Sequence, residues 1–335
     1  MDETSRILGC LTGLAVGDAM GRPTELLFNY RRIEGRYGRV ETLVGDRPGV
    51  VTDDTRLTLA LADAIIASGR MLTADELIER WKRDPEFSWR KFMVSYRRDE
   101  GFWIGEHLAA WGGRLGVPGH LTGYMNPSSL FAGNEAAMIM APVGIIFRGR
   151  PAQAAEAARE VSRALIVGEA VGAAASWAAA IATALSEGAT VRSVQDAARG
   201  YAPPGLRSAI DRALSVAARY RDVYEVRAEF YRCCLQPITI DARETIPAAL
   251  TMFTIADGQP MKAVIGGANL GRDSDTIAGM AGLLSGALRG VEGIDPGIRR
   301  RVIEANGFDL DGYAERLAAI SARRVEPGSP LRPCV

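Results

Sequence analysis

The sequence predicts an all-α fold on three observations. Stretches with apolar residues at helical spacing cover most of the chain. No period-two alternation is sustained anywhere. No Asn-Gly or Asp-Gly turn joins two β-rich runs.

The elements follow in order. Residues 5–19 carry the first helical pattern, with Thr4 or Ser5 as its cap. Residues 55–68 form the next, and Gly69 suits its left-handed stop. A helix over 74–83 follows Thr73, with Glu76 completing a capping box. Residues 135–147, 152–164, 168–186 and 204–220 read as helices, as do 245–256, 276–288, 297–305 and 312–323. Residues 260–268 read as a helix and turn, and 40–44 as a short strand. Loops fall at 35–52, 112–133 and 199–204; the first two are long, and long ordered loops often carry function. No composition shift divides the chain, so one domain over 1–324 is expected, with a flexible tail at 325–335.

Composition narrows the function. Apolar residues make up 47% of 335, ample for a large core. Forty basic residues balance forty acidic ones, which removes the electrostatic case for a nucleic-acid or membrane-surface partner. The two histidines (His107, His120) and four cysteines have no zinc-ligand spacing. Cys233 and Cys234 read as reduced thiols in a helix. The N-terminus is acidic first and apolar later, the reverse of a secretory signal. Residues 170–185 are charge-free and alanine-rich, too few to span a bilayer. A cytoplasmic setting is expected.

Glycine recurs every fourth residue at Gly9, Gly13 and Gly17, and again at Gly282, Gly286 and Gly290, with Gly279 nearby. Glycine inside a helix costs about 0.5–1 kcal/mol against alanine. Close backbone approach at a core crossing is the compensation expected for each stripe.

Three acidic clusters sit at expected helix ends: Gly17-Asp18-Ala19-Met20-Gly21 with Glu25, Thr52-Asp53-Asp54-Thr55, and Gly271-Arg272-Asp273-Ser274-Asp275-Thr276. An N-cap explains one aspartate of a pair. Two helix starts that each present paired carboxylates and hydroxyls exceed what capping needs. If they converge, the carboxylates cannot all stay ionised without a cation. Oxygen-only donors select a hard cation, Mg2+ or Mn2+, and two ions suit this many carboxylates. The Asp-x-Asp pattern also opens the catalytic loop of haloacid-dehalogenase-type phosphatases, but that loop follows a β-strand, and 260–268 reads as helix and turn.

These motifs resemble the ADP-ribosylglycohydrolase family. The match runs along nearly the whole chain, adding Gly133-Asn134-Glu135-Ala136-Ala137-Met138 before Pro142, and Gly266-Gly267-Ala268-Asn269-Leu270 before the last cluster. The resemblance implies an orthogonal helical domain around a dinuclear magnesium site. By motif match, Thr52, Asp53, Asp54, Asp273, Asp275 and Thr276 are the expected metal ligands. Glu25, Asp54 and Asp273 are the expected catalytic carboxylates. Asn134, Glu135, Gly271, Arg272 and Ser274 are expected to meet substrate. Asp18 is expected to be structural.

The rim departs from the family pattern. Gly-Asp-Thr-Asp-Thr becomes Gly271-Arg272-Asp273-Ser274-Asp275-Thr276, with an Arg that can face a phosphate or carboxylate. Asn-Gly and Met-Arg become Asn134-Glu135 and Met138-Ile139, and the usual Thr-His pair is absent from 164–169. The expected reaction is hydrolysis at C1′ of a ribosyl substrate, small or protein-linked. The ribose 2′- and 3′-hydroxyls are chelated, and the bond breaks through an oxocarbenium-like state. Asp53, Asp54 and Glu25 all stay open as the base. A non-catalytic relative, either a crystallin-like structural protein or a ribosyl-ligand binder, is the alternative. His120 beside Tyr124 and Asn126, the aromatics Phe102, Trp103 and Trp111, and the cluster Arg31, Arg32, Arg36 and Arg39 are further, weaker candidates.

Overall fold

A computed structural model describes residues 2–25, 27–83, 132–166 and 168–323. Among these, the regular elements are α-helices plus one 3-10 turn, Val291–Gly293. The α-helices are α1 (Glu3–Glu25), α2 (Tyr30–Tyr37), α3 (Asp53–Ser68), α4 (Ala74–Arg83), α5 (Ala141–Ile146), α6 (Pro151–Ser162), α7 (Glu169–Ala184), α8 (Val191–Tyr201), α9 (Pro204–Ala217), α10 (Arg227–Cys233), α11 (Ala242–Ile255), α12 (Pro260–Ala268), α13 (Ser274–Arg289), α14 (Pro296–Asn306) and α15 (Leu310–Arg323). The candidate loop 112–133 lies mostly outside the described residues. So do Phe102, Trp103, His107, Trp111, His120, Tyr124, Asn126 and the tail 325–335.

The fold is organised by α1 and α13, which are buried along nearly their whole length. They cross antiparallel, with the two glycine stripes as the seam. A Cβ built at Gly9 would stand 2.5 Å from the carbonyl oxygen of Gly286. At Gly13 it would collide with the Gly282 backbone, and at Gly17 it would stand 2.6 Å from the nitrogen of Gly279. The seam continues to Gly21, where a Cβ would stand 2.6 Å from the nitrogen of Asp275. Interiors are packed too densely to absorb such overlaps. The stripes are therefore one contact, and its register sets the end of α1 against the start of α13.

Other helices complete the core around this pair. α7, α11 and α12 pack against α13, while α14 and α15 pack against α1. α7 is alanine-rich and nearly all buried, so its small side chains let α6 and α8 lie close on it. No described helix is long and apolar enough to cross a membrane.

Several boundaries differ from the sequence expectation. α1 continues six residues past 19, through Pro23, because its last turns are held by the seam with α13. Residues 135–139 are turns, and only Ala141–Ile146 is helical. Residues 40–44 form no strand: the Asn269 carboxamide takes both backbone groups of Val40, accepting from its N–H at 2.9 Å and donating to its carbonyl at 2.8 Å. A helix does carry Cys233, as expected, with Cys234 at its C-cap, whereas α2 and α8 are not expected from the sequence. Signals for both are present in the sequence: Asn29 caps α2, and Thr190 with Ser193 forms a capping box on α8. The box expected at Thr73 and Glu76 is formed, with bonds of 2.9 and 3.3 Å.

Candidate active site

The site lies where α1 ends and α3 and α13 begin. α3 starts at Asp53 behind its N-cap Thr52, whose hydroxyl accepts from the Asp54 N–H at 3.4 Å. α13 starts behind Asp273, which occupies the N-cap position without capping through its side chain. That carboxylate is left for other partners.

Asp18 holds the first start in place. One of its oxygens accepts from the Thr52 N–H (2.8 Å) and hydroxyl (2.9 Å). The other accepts from the Thr55 N–H (3.1 Å) and hydroxyl (2.6 Å). Asp18 is fully buried, and burial pushes its acid strength down while these four bonds favour the anion. Asp18 is the nearer acceptor for the Thr52 hydroxyl, 2.9 Å against 3.4 Å to Asp54, and with one lone pair turned to the Asp54 N–H the hydroxyl keeps one for another partner.

The two aspartate doublets meet. The Thr276 hydroxyl donates to the Asp54 carboxylate at 3.3 Å, joining positions 222 apart in the chain. Glu25, Asp273 and Asp275 each offer a carboxylate oxygen, and these lie within 4.8 Å of one another. Asp54 and Asp275 each bury one carboxylate oxygen that has no hydrogen-bond partner. Asp53 is half-buried beside them, and its charge acts on Asp54, Asp275 and Glu135.

This crowding shows in the acid–base behaviour. Burial first, then the charges of Asp275, Asp53, Asp18 and Asp273, holds Asp54 well above the carboxylate range. Asp275 is raised for the same reasons, with Asp273 its chief neighbour. Asp273 is raised to about 8 by burial and by Glu25. A cluster of buried carboxylates that resist ionising, two with orphaned oxygens, matches the donor set of a hard divalent cation. A cation there would relieve the repulsion and satisfy those oxygens.

The expected rim residues separate into two groups. Asn134 is buried, and its amide donates to Asp273 Oδ2 at 2.5 Å. Its own N–H reaches the Ile240 carbonyl, beside a bridge between Gly133 and Asp241. Glu135 is half-buried and raised to about 7, chiefly by burial, with Asp53 and Asp241 adding to the rise. Gly271 has φ 82°, and a Cβ there would stand 3.0 Å from the Tyr231 hydroxyl and 3.1 Å from Asn29. The other two turn elsewhere. Ser274 is fully buried, accepts from the Thr24 hydroxyl (2.9 Å) and donates to the Gly21 carbonyl (3.2 Å). Arg272 binds Glu244 and the Gln236 carbonyl.

Arg31, Arg32 and Arg36 lie exposed on α2, and Arg39 follows it. Arg39 stacks on the Tyr224 ring at 4.3 Å and Arg36 on Tyr37 at 5.2 Å. Glu244, in the first turn of α11, is a further residue of the site that the motifs do not mark. Its signal was an acidic residue near the start of an otherwise apolar helix, which normal first-turn charge preference conceals.

A family model described as ADP-ribosylglycohydrolase matches residues 1–326. An ADP-ribosylarginine hydrolase of Pseudomonas putida is 30% identical, over 87% of this chain and 72% of that one. An ADP-ribosyl-[dinitrogen reductase] glycohydrolase of Rhodospirillum rubrum is 25% identical, over 87% and 88%. An uncharacterised Escherichia coli protein, YegU, is 26% identical over 96% and 99%. A solved structure titled an ADP-ribosylglycohydrolase-related protein complex shares the fold, with a TM-score of 0.66 at 24% identity over 96% of this chain and 99% of that one. The chain therefore belongs to the ADP-ribosylglycohydrolase family and is a hydrolase of the glycosidase type.

Proposed function

We propose that this enzyme hydrolyses the C1′ glycosidic bond of ADP-ribose adducts, with Mg2+ as its cation. The observation that carries the reading is the 3.3 Å bond from Thr276 to Asp54, which brings both aspartate doublets into one volume. Thr52, Asp53, Asp54, Asp273, Asp275 and Thr276 would hold the cation, two ions being the count that suits this many donors. When bound, it supplies positive charge that polarises nearby hydroxyl and water oxygens.

The chain's own residues do the rest. Asn134 and Asp18 hold Asp273 and Thr52 at fixed positions, so the carboxylates are organised before substrate arrives. Glu25 is half-buried and within 4.8 Å of Asp273 and Asp275, and we assign it as the base that takes the proton of the attacking water. The water oxygen bonds to C1′ as the bond to the leaving group breaks and its electron pair departs with that group. Surrounding carboxylates stabilise the positive charge that develops on the ribose ring. Glu135 keeps its proton up to about pH 7, so near neutrality it holds a proton at the rim.

The named relatives direct the choice of assay substrate toward ADP-ribosylarginine and ADP-ribosylated protein. The test is calorimetry with Mg2+ alone, then release of ADP-ribose from ADP-ribosylarginine, on wild type and Asp275→Ala. Wild type should bind Mg2+ and turn over, and the variant should do neither while keeping its helical circular dichroism. Mg2+ binding with no turnover on any ribosyl adduct would leave a ligand binder instead.

A further inference from the structure

Arg272 has φ 68°, a left-handed conformation that residues other than glycine seldom adopt. Gly271 before it has φ 82° and Asp273 after it has φ −87°. Two consecutive left-handed residues turn the chain sharply between α12 and α13, and the turn ends on Asp273. Gly271 meets no steric penalty there, but Arg272 does, so something must hold it.

The hold is visible. Arg272 Nε donates to Glu244 Oε1 at 2.6 Å, and Nη2 donates to Glu244 Oε2 at 2.9 Å. Nη2 also donates to the Gln236 carbonyl at 2.7 Å, and the Gln236 N–H donates to Glu244 Oε2 at 2.6 Å. Glu244 is fully buried, and the Arg272 side chain is 15% exposed. The bidentate fork is the arrangement with the most directional restraint available to an arginine. It ties the turn to the start of α11, which the Gly133–Asp241 bridge also ties to the Asn134 segment. Asn134 and Arg272 therefore grip Asp273 from two directions, one through its carboxylate and the other through its backbone.

We infer that Arg272 is a positioning residue, which with Glu244 holds the 271–273 turn so that the Asp273 carboxylate faces the acidic cluster. It is not a contact to substrate phosphate. This rests on the metal reading above and extends it to two residues outside the cation's own ligands. The Nε and Nη2 donors, which form the edge best suited to a bidentate anion, are committed to Glu244 and the Gln236 carbonyl, which argues against a substrate phosphate as their partner.

The experiment measures the Mg2+ dissociation constant of the full chain by calorimetry, with circular dichroism as the folding check. The variants are Arg272→Gly, Arg272→Lys, Glu244→Gln and the Arg272→Gly/Glu244→Gln pair. Loss of a residue that orients a ligand typically weakens metal binding about 10–100-fold. Arg272→Gly suits the left-handed backbone, so it removes the brace without adding strain, and its affinity should fall in that range. Arg272→Lys should recover part of the loss. The double variant should be no weaker than the worse single one, because the two residues act as a unit. An Mg2+ affinity within about twofold of wild type in folded Arg272→Gly would overturn the inference. So would a raised KM for ADP-ribosylarginine with Mg2+ affinity unchanged, which places the guanidinium on the substrate. If Arg272→Gly does not fold, Glu244→Gln decides by the same criterion. A wild type that binds no Mg2+ overturns the metal reading itself, whereas normal wild-type binding with unaffected variants overturns only this inference.

Discussion

Gly13 of α1 and Gly282 of α13 lie backbone against backbone, with no room for a methyl group on either. The crossing they make lies further along the same two helices than the acidic cluster, and it sets the register that brings Gly21 against Asp275. Gly13→Ala should therefore destabilise the protein by about 1–3 kcal/mol, the usual cost of forcing extra volume into a packed core. Urea denaturation measures it. Gly35→Ala, where nothing lies within 4 Å of the added methyl, is the control and should be close to neutral.

Asp18→Asn tests the anchor of α3. The anion accepts four hydrogen bonds from Thr52 and Thr55. An amide presents only one acceptor oxygen and turns its donors toward groups that already donate. A loss of about 1–3 kcal/mol in stability is expected, as for a buried polar group left unsatisfied. Mg2+ affinity should also fall, because the Thr52 hydroxyl loses the acceptor that orients it. Unchanged affinity in a folded Asp18→Asn protein would confine Asp18 to stability alone.

Asp273 sets a pH dependence with a definite sign. Its acid is raised from 3.8 to about 8 in the folded chain. A group raised on folding contributes its full stability below the unfolded value and loses it as pH rises through the folded one. In EDTA, the melting temperature should therefore fall between about pH 4 and pH 8. Mg2+ must displace that proton, so its binding should tighten across the same window and release protons. Saturation at 100 times Kd should restore about 2.7 kcal/mol. Calorimetry in two buffers of different ionisation enthalpy counts the protons. An affinity independent of pH from 6 to 8 contradicts the assignment.

Glu135 gives a second window, between 4.5 and about 7. Its ionisation works against folding as pH rises through that range. Glu135→Gln should match wild type in melting temperature below pH 4.5 and exceed it at pH 8. If the rim proton serves turnover, wild-type kcat should decline above pH 7 and the same variant should lose that decline. Parallel pH–rate profiles for the two proteins would remove Glu135 from the reaction.

Much of this molecule was legible before any coordinates. Helical periodicity carried the fold class, because an amphipathic stripe must bury itself wherever it lies. The glycine stripes announced a close crossing, since a penalty repeated every fourth residue needs a backbone neighbour to offset it. Paired aspartates beside hydroxyls announced a cluster of hard donors, because one cap never needs two carboxylates. Local chemistry of this kind is written in neighbouring residues. Partners across the chain are not. Only the folded structure showed that the two stripes are each other's partner and that Thr276 reaches Asp54. It also turned Ser274 toward α1 and bound Arg272 to Glu244, although both sit inside the motif that suggested a substrate rim. Sequence spacing specifies which side chains share a turn, but the direction each one faces depends on what the packed neighbours leave open. A buried charge such as Glu244 is tolerated only when the fold supplies its counterpart from a distant segment.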